Sequence, residues 1–188
     1  MVEPVRHVSR YGRVSEVFPL PNDEAFLYAL LRDIFEKYWP DIVFGPVIEG
    51  AAFEFRCATA PTKIALFDGY LTIDLGGPHF HLCIGENKGS AANPTPPEQR
   101  RHRRATRVEL FRGLDPKGDP VTWGLNLANG NDEQLCTIFF PNPFLGADGR
   151  LAPAPDWSKL EIWDALTARC LGRDADPRDR AAPRFYHG

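Results

Sequence analysis

The chain has 188 residues, of which 43% are hydrophobic and 25% are charged, and its formal net charge is −3 at pH 7. A chain of this length buries enough surface to fold without a disulfide or a metal ion, and its slightly acidic balance argues against a protein that coats nucleic acid. No apolar run approaches the ~20 residues of a membrane-spanning helix, and residues 1–13 lack the apolar core of a signal peptide. We therefore expect a cytoplasmic protein with no membrane partner.

The first predicted element is an amphipathic helix between Pro21 and Pro40. Its apolar residues recur at helical spacing, and they are Phe26, Leu27, Leu30, Leu31, Ile34, Phe35 and Tyr38. Asn22 is expected to cap the helix and Pro40 to end it. Such a helix needs a flat apolar surface to cover.

A four-stranded meander is predicted over residues 41–85. This segment is rich in β-branched and aromatic residues and is divided by turn signals at Glu49-Gly50, Ala60-Pro61 and Gly76-Gly77-Pro78. Residues 87–106 follow as a predicted long loop, because they show no apolar period and contain Pro, Gly, Ser and Asn.

Three more strands are predicted, within residues 107–114, 121–128 and 134–140. The dipeptide Asn129-Gly130 between the last two is the strongest short hairpin signal in the chain.

The last predicted element is a helix that begins after Asp156 and ends at Gly172. The order of elements predicts an α+β fold with one curved, mainly antiparallel sheet of about seven strands, and with the N-terminal and C-terminal helices packed on one face. We expect residues 1–172 to form a single domain and residues 173–188 to form an extended or disordered tail.

The stretch LGGPHFHLCIGE, residues 75–86, contains the main candidate site. Strand alternation places its two histidines and its cysteine on one face and Phe80, Leu82 and Ile84 on the other. A two-residue turn at Gly76-Gly77 would set the pairing of this strand with the one before it. The cross-strand pairs predicted for the polar face are Tyr70 with Cys83, Thr72 with His81, and Asp74 with His79.

The spacing of His79 and His81 is one at which two imidazoles can chelate a single ion, with Asp74 or Glu86 as the carboxylate that completes an iron, manganese or zinc centre. In an enzyme, Tyr70 and Glu86 are the predicted catalytic residues, with Tyr70 supplying a proton or a hydrogen bond. The spacing of the two histidines and Glu86 resembles half of the metal signature of the cupins, which are barrels of short antiparallel strands. The sequence has no second half of that signature, and we assign no family from it. The alternative interpretation is a solvent-facing strand that happens to carry two histidines.

A run of arginines precedes the fifth predicted strand. Arg100, Arg103, Arg104 and Arg107 are predicted to bind a small anionic substrate, because guanidinium groups bind carboxylates and phosphates with paired hydrogen bonds. The alternative is a solvated charged segment that pairs with the excess acidic residues. Nucleic acid is a less favoured anion, since no aromatic residue is interleaved with the arginines.

Two main functional hypotheses follow, with a weaker third. The first is a metal-dependent enzyme or sensor that acts on a small anionic organic molecule, with oxygenase, lyase and hydrolase chemistry all left open. The second is a non-catalytic module that binds a ligand or a partner protein without a metal, and RNA binding through the arginines is a weaker third. The sequence leaves the substrate and the oligomeric state open.

Overall fold

The computed structural model describes residues 3–9, 12–48 and 50–185. Within these ranges the strands are β1 (Val5–Val8), β2 (Val14–Pro19), β3 (Val43–Gly45), β4 (Val47–Ile48), β5 (Ala51–Ala52), β6 (Lys63–Phe67), β7 (Tyr70–Asp74), β8 (His79–Cys83), β9 (Gly89–Ser90), β10 (Asn93–Pro94), β11 (Ala105–Leu114), β12 (Pro120–Asn129) and β13 (Gln134–Phe139). The α-helices are α1 (Glu24–Lys37), α2 (Pro97–Arg103) and α3 (Glu161–Leu171), and two 3-10 helices span Trp157–Leu160 and Pro177–Arg180.

The fold is α+β with a large antiparallel sheet, as predicted. Six strands hydrogen bond in the order β1-β2-β11-β12-β13-β3, and β6-β7-β8 form a separate three-stranded sheet. The two remaining pairs, β4-β5 and β9-β10, are two-stranded. The prediction of one sheet of about seven strands is therefore wrong, because the described strands are more numerous and divide among four sheets. The sequence pattern also predicts no strand before the first helix, where β1 and β2 lie.

The predicted meander is correct only for its last three strands, β6, β7 and β8, which pair consecutively. Its earlier part divides between β3, which belongs to the six-stranded sheet, and the short β4-β5 pair. The alternating residues around Phe55 form no strand, because Phe55 makes only an isolated bridge with Phe44, in which the two residues exchange backbone hydrogen bonds of 3.0 and 2.8 Å.

The segment 87–106 is not the long irregular loop that its composition predicts. It contains the β9-β10 pair, helix α2 and the start of β11. Helix α2 begins with Pro97 in its first turn, a position where the missing N–H costs nothing. Residues 98–103 after it are mostly good helix formers, and they continue the helix. The turn-forming residues that suggest a loop lie before Pro97.

Helix α1 forms where the apolar period predicts it, but its cap is different. Asp23, not Asn22, is the N-cap, and its carboxylate accepts from the N–H of Phe26 at 2.9 Å. The Asn22 amide instead donates to the carbonyl of Thr106. The apolar face of α1 packs on β3, where the rings of Phe35 and Phe44 meet edge to face at 4.8 Å.

The described strands β12 and β13 form a hairpin, as Asn129-Gly130 predicts. The turn is wider than a two-residue turn, since the N–H of Asn129 donates to the carbonyl of Glu133. The non-glycine residue with positive φ in this turn is Asp132, at 68°. Short polar side chains tolerate this conformation better than most others.

The chain divides into two compact units, and each is described by itself. Unit 1 comprises Met1–Pro19, Glu109–Leu125 and Phe139–Gly188, and unit 2 comprises Leu20–Val108 and Asn126–Ile138. Helix α3 lies in unit 1 and packs on β2. That α1 and α3 lie on one face stays a prediction.

Unit 1 is built around a buried guanidinium. Arg112 of β11 is 1% exposed, and it donates to Glu16 at 2.7 Å and to Asp176 and Asp179 at 2.9 Å each. Burial of an ion is tolerable only when partners replace its water. Three carboxylates from two distant parts of the chain supply that replacement.

Asp179 is the most enclosed of these carboxylates, at 1% exposure. Besides Arg112, it accepts from the indole N–H of Trp123 at 2.9 Å and of Trp163 at 2.8 Å. It belongs to the segment after α3, for which the sequence predicts an extended or disordered tail. The described part of that segment, up to residue 185, instead contains a 3-10 helix and a buried Ala182.

We predict that Arg112→Met destabilises the protein by about 3–5 kcal/mol, because it leaves buried carboxylates without their counter-charge. Urea unfolding followed by tryptophan fluorescence measures the loss. Arg32→Met is the matched control, since Arg32 forms an exposed ion pair with Glu36 in α1, and its loss should leave the stability nearly unchanged. Equal effects of the two substitutions would contradict this account of the cluster.

The same cluster predicts a pH dependence. Burial raises the pKa of Glu16 and Asp176, but hydrogen bonds and the charge of Arg112 outweigh it, so both carboxyl pKa values lie below their ordinary range. The stabilisation is complete above the ordinary carboxyl pKa and is lost as the pH falls through the lowered values. We expect the stability gap between wild type and Arg112→Met to narrow below about pH 4. A gap that stays constant down to pH 3 in urea titrations would refute the prediction.

Candidate functional site

The β7-β8 hairpin in unit 2 has the register that the sequence predicts. Tyr70 pairs with Cys83, Thr72 with His81, and Asp74 with His79. The turn at Gly76-Gly77 is closed by the N–H of Leu75, which donates to the carbonyl of Pro78 at 3.0 Å. The apolar face is internal, since Leu71, Ile73 and Leu82 are buried. Sequence alternation therefore fixed both the pairing and the two faces.

The two histidines lie side by side on the polar face. The ring centroids of His79 and His81 are 4.9 Å apart with planes at 71°, and both residues are exposed. The Nδ1 atom of His81 lies 2.8 Å from the hydroxyl of Thr72 on the neighbouring strand. This contact holds the ring of His81 in one orientation.

Asp74, the predicted carboxylate ligand, lies opposite His79 across the hairpin. One of its oxygens accepts from the N–H of Gly76 at 2.8 Å, and this bond is the main reason that the pKa of Asp74 is lowered. Among the described residues, no group of three or more His, Cys, Asp and Glu side chains is placed to hold one metal ion. In the observed geometry Asp74 therefore does not complete a three-ligand set with the histidines.

Tyr70 and Cys83 occupy the sheltered end of the same face. Burial raises the pKa of Tyr70 and of Cys83, so both side chains stay protonated at neutral pH. The Cys83 thiol lies 3.5 Å from the carbonyl of Gly85. The catalytic role predicted for Tyr70 stays a prediction.

Glu86 belongs to a different set of contacts. Its carboxylate accepts from Arg100 at 2.8 Å, and the ammonium of Lys88 lies 3.9 Å away. Arg100 also donates to the carbonyl of Thr95. Glu86 and Arg100 thus tie α2 to the chain that follows β8, and the catalytic role predicted for Glu86 stays a prediction.

The other arginines of the run also have protein partners. Arg103 donates to Asn87 at 2.9 Å, and Arg104 donates to the carbonyl of Asn22 at 2.9 Å. Arg107 forms an ion pair with Asp132 at 2.9 Å. These guanidinium groups contact different parts of unit 2 and connect them to one another. Their predicted role in binding an anionic substrate stays a prediction.

Asp68 and Asn87 organise the chain between β8 and α2. Asp68, at a positive φ of 46° in the β6-β7 turn, accepts from the Asn87 amide at 2.7 Å and from the N–H groups of Lys88 at 2.8 Å and Gly89 at 3.0 Å. The buried Asn87 in turn accepts from Thr95 at 2.8 Å. One carboxylate therefore holds the start of the segment that the sequence analysis describes as a loop.

Unit 1 contains a cavity that the sequence pattern does not predict. The cavity has a volume of about 440 Å³, within the range of roughly 300–1,000 Å³ typical of small-molecule sites. The lining residues share an apolar character apart from one cation, and they are Phe144, Leu151, Ala152, Pro153, Ala154, Pro155, Pro183, Arg184 and Phe185.

The walls of this cavity are fixed by backbone and aromatic contacts. The N–H of Ala152 donates to the carbonyl of Phe144 at 2.8 Å, and Leu145 and Leu151 form a β-bridge. Phe144 is buried, and its ring centroid lies 6.0 Å from that of Phe185. Because the prolines of the wall have a fixed φ, the cavity is largely preformed.

A family model matches residues 4–172, and that family is described as one of unknown function, DUF7676. The chain belongs to this family. No curated protein matches the sequence. Among solved structures, the chain is similar to one titled "Crystal structure of ChuX", with 13% sequence identity and a TM-score of 0.53, over 85% of this chain and 78% of that chain. At this identity the likeness shows a shared fold. No helix in the described residues is long and apolar enough to cross a membrane.

The cavity has only a faint signal in the sequence. The stretch LAPAP, residues 151–155, combines small apolar residues with prolines, which is typical of a rigid surface segment as well as of a pocket wall. The aromatic residues of the wall are Phe144, which lies between β13 and this stretch, and Phe185, at the end of the described chain. Only the fold brings these pieces together.

We predict that Asp68→Ala releases the segment that follows β8, since three donors lose their acceptor and alanine is strained at positive φ. The expected cost is about 1–3 kcal/mol, with faster hydrogen exchange at the amides of Lys88 and Gly89. Asp68→Asn is the matched control, because asparagine tolerates the backbone conformation and keeps one acceptor oxygen. Unchanged exchange in Asp68→Ala would show that the carboxylate does not hold this segment.

Proposed function

We propose that the protein is a non-catalytic binding module for a small organic molecule that has an apolar body and one anionic group, and that the unit 1 cavity is its site. The observation that carries the proposal is the set of side chains in the described wall, which are apolar except for that of Arg184. Such a wall favours burial of an apolar body, while one guanidinium orients an acidic group.

The same wall favours binding over chemistry. Among the residues that the structure describes, up to residue 185 at this end, Arg184 is the one charged side chain in the lining. The described part of the lining contains neither a nucleophile nor a general acid or base, which catalysis of proton or acyl transfer requires. This agrees with the second of the two hypotheses that the sequence supports, and it moves the ligand from the β7-β8 face to unit 1.

The cavity's position on the chain supports its use as a ready-made site. Its last three lining residues follow directly on the segment that Asp179 anchors, with only Arg180, Ala181 and Ala182 between. Ala182 is itself buried. A ligand therefore meets a wall that is already ordered. None of its binding free energy is lost in ordering that wall.

We predict that the protein binds anilinonaphthalene sulfonate about two- to fivefold more tightly than phenylnaphthylamine, which has the same aromatic body without the anionic group. The modest ratio reflects a guanidinium at an exposed rim. Fluorescence titration of both probes measures it. Arg184→Met should remove the preference for the anion and leave the affinity for the neutral probe unchanged.

Two further variants locate the site. Ala154→Trp fills the cavity from an exposed wall position. The affinity for both probes should fall at least about tenfold, because the indole takes up the apolar surface against which one to two aromatic rings of the probe would pack. Ala147→Trp places the same bulk on an exposed residue outside the lining and should leave both affinities unchanged. Equal binding of the two probes by wild type, or equal effects of the two tryptophans, would contradict the proposal.

A further inference from the structure

The histidine pair on β8 is left outside the cavity proposal and has its own chemistry. His79 and His81 are exposed, so an ion can reach both rings without any opening of the core. With centroids 4.9 Å apart, the two rings are near enough for their nitrogens to share an ion at bond lengths of about 2.1 Å. Alternation along one strand keeps both rings on the same side of the hairpin.

Thr72 gives this pair a feature of metal-binding histidines. Its hydroxyl lies 2.8 Å from Nδ1 of His81. When that hydroxyl accepts the Nδ1 proton, the other ring nitrogen, Nε2, carries the lone pair that can bind a metal ion. Metal-bound histidines almost always have such a partner on the nitrogen that does not bind the metal.

The donor set determines which ion fits. Two imidazoles suit zinc and copper, whereas manganese prefers carboxylate and carbonyl oxygens. Because no group of three potential ligands exists among the described residues, the chain supplies two positions and leaves the others to water or to a dissolved ligand. The carboxylate of Asp74, opposite His79, adds negative charge to the same face.

We propose that His79 and His81 form a two-imidazole site for a zinc-type divalent ion, with open coordination positions that face solvent. The site is independent of the unit 1 cavity. It has fewer protein ligands than the mononuclear centre that the sequence predicts, because it includes no protein carboxylate.

Isothermal titration of the full, untagged chain with Zn²⁺ tests the site, with Mg²⁺ as the control ion. One Zn²⁺ per chain is expected, and the double variant His79→Ala, His81→Ala should remove this binding. Each single variant should weaken it at least about tenfold, since one imidazole loses the chelate. His7→Ala is the matched control, because His7 is also an exposed histidine on a strand, β1, and should leave binding unchanged.

Thr72→Val separates a built site from two unrelated surface histidines. Valine keeps the shape of threonine and loses the hydroxyl, and we expect zinc affinity to fall about tenfold, at the lower end of effects measured for such supporting partners. Circular dichroism of each variant confirms that the hairpin is intact. Zinc binding that survives the double variant would overturn the proposal. So would half an equivalent of zinc with a doubled mass in light scattering, since a second copy would then complete the site.

Discussion

The contact between Asp179 and Arg112 is the interaction on which unit 1 depends. Both side chains are 1% exposed, and neither charge could remain there without the other. The two indole N–H groups of Trp123 and Trp163 complete the shell of Asp179. The strands β11 and β12, the helix α3 and the segment after α3 are thereby joined at one carboxylate, so that this segment is part of the core of the unit.

This anchoring has a consequence for the cavity. The residues that close it, Pro183 to Phe185, come shortly after the 3-10 helix that contains Asp179. Asp179 of this 3-10 helix is bound to Arg112, Trp123 and Trp163, and the chain from it to Pro183 is only four residues long. The ion pair between Arg112 and Asp179, although its burial costs desolvation energy, thus positions an apolar wall of the cavity. The stability of the cluster and the shape of the cavity are coupled for this reason.

The sequence predicts the β7-β8 hairpin fully and the Asp179 cluster not at all, and the contrast has a physical cause. In the hairpin, partners such as Thr72 and His81 are nine residues apart, and strict alternation leaves one register that buries every apolar side chain. Asp179 meets Arg112 across 67 residues and Trp123 across 56. An aspartate in a charged, proline-containing stretch resembles solvated tail sequence, and local pattern gives no reason to bury it. The strand β2 escapes prediction similarly, because Glu16, which interrupts its apolar pattern, pairs with Arg112.

The arginine run shows why charge density in sequence is a poor guide to a binding site. Arg100 and Arg103 lie on a short helix, and Arg107 lies on the strand that follows it. They end on Glu86 and Asn87, in the connection after β8, and on Asp132, in the turn between β12 and β13. A run of like charges repels itself, and dispersing it over several acceptors is the arrangement of lower energy. Arg184 is the opposite case, a single guanidinium between Pro183 and Phe185. Recognition of one acidic group needs one well-placed cation in an apolar wall, and such a site leaves almost no mark in the composition of the chain.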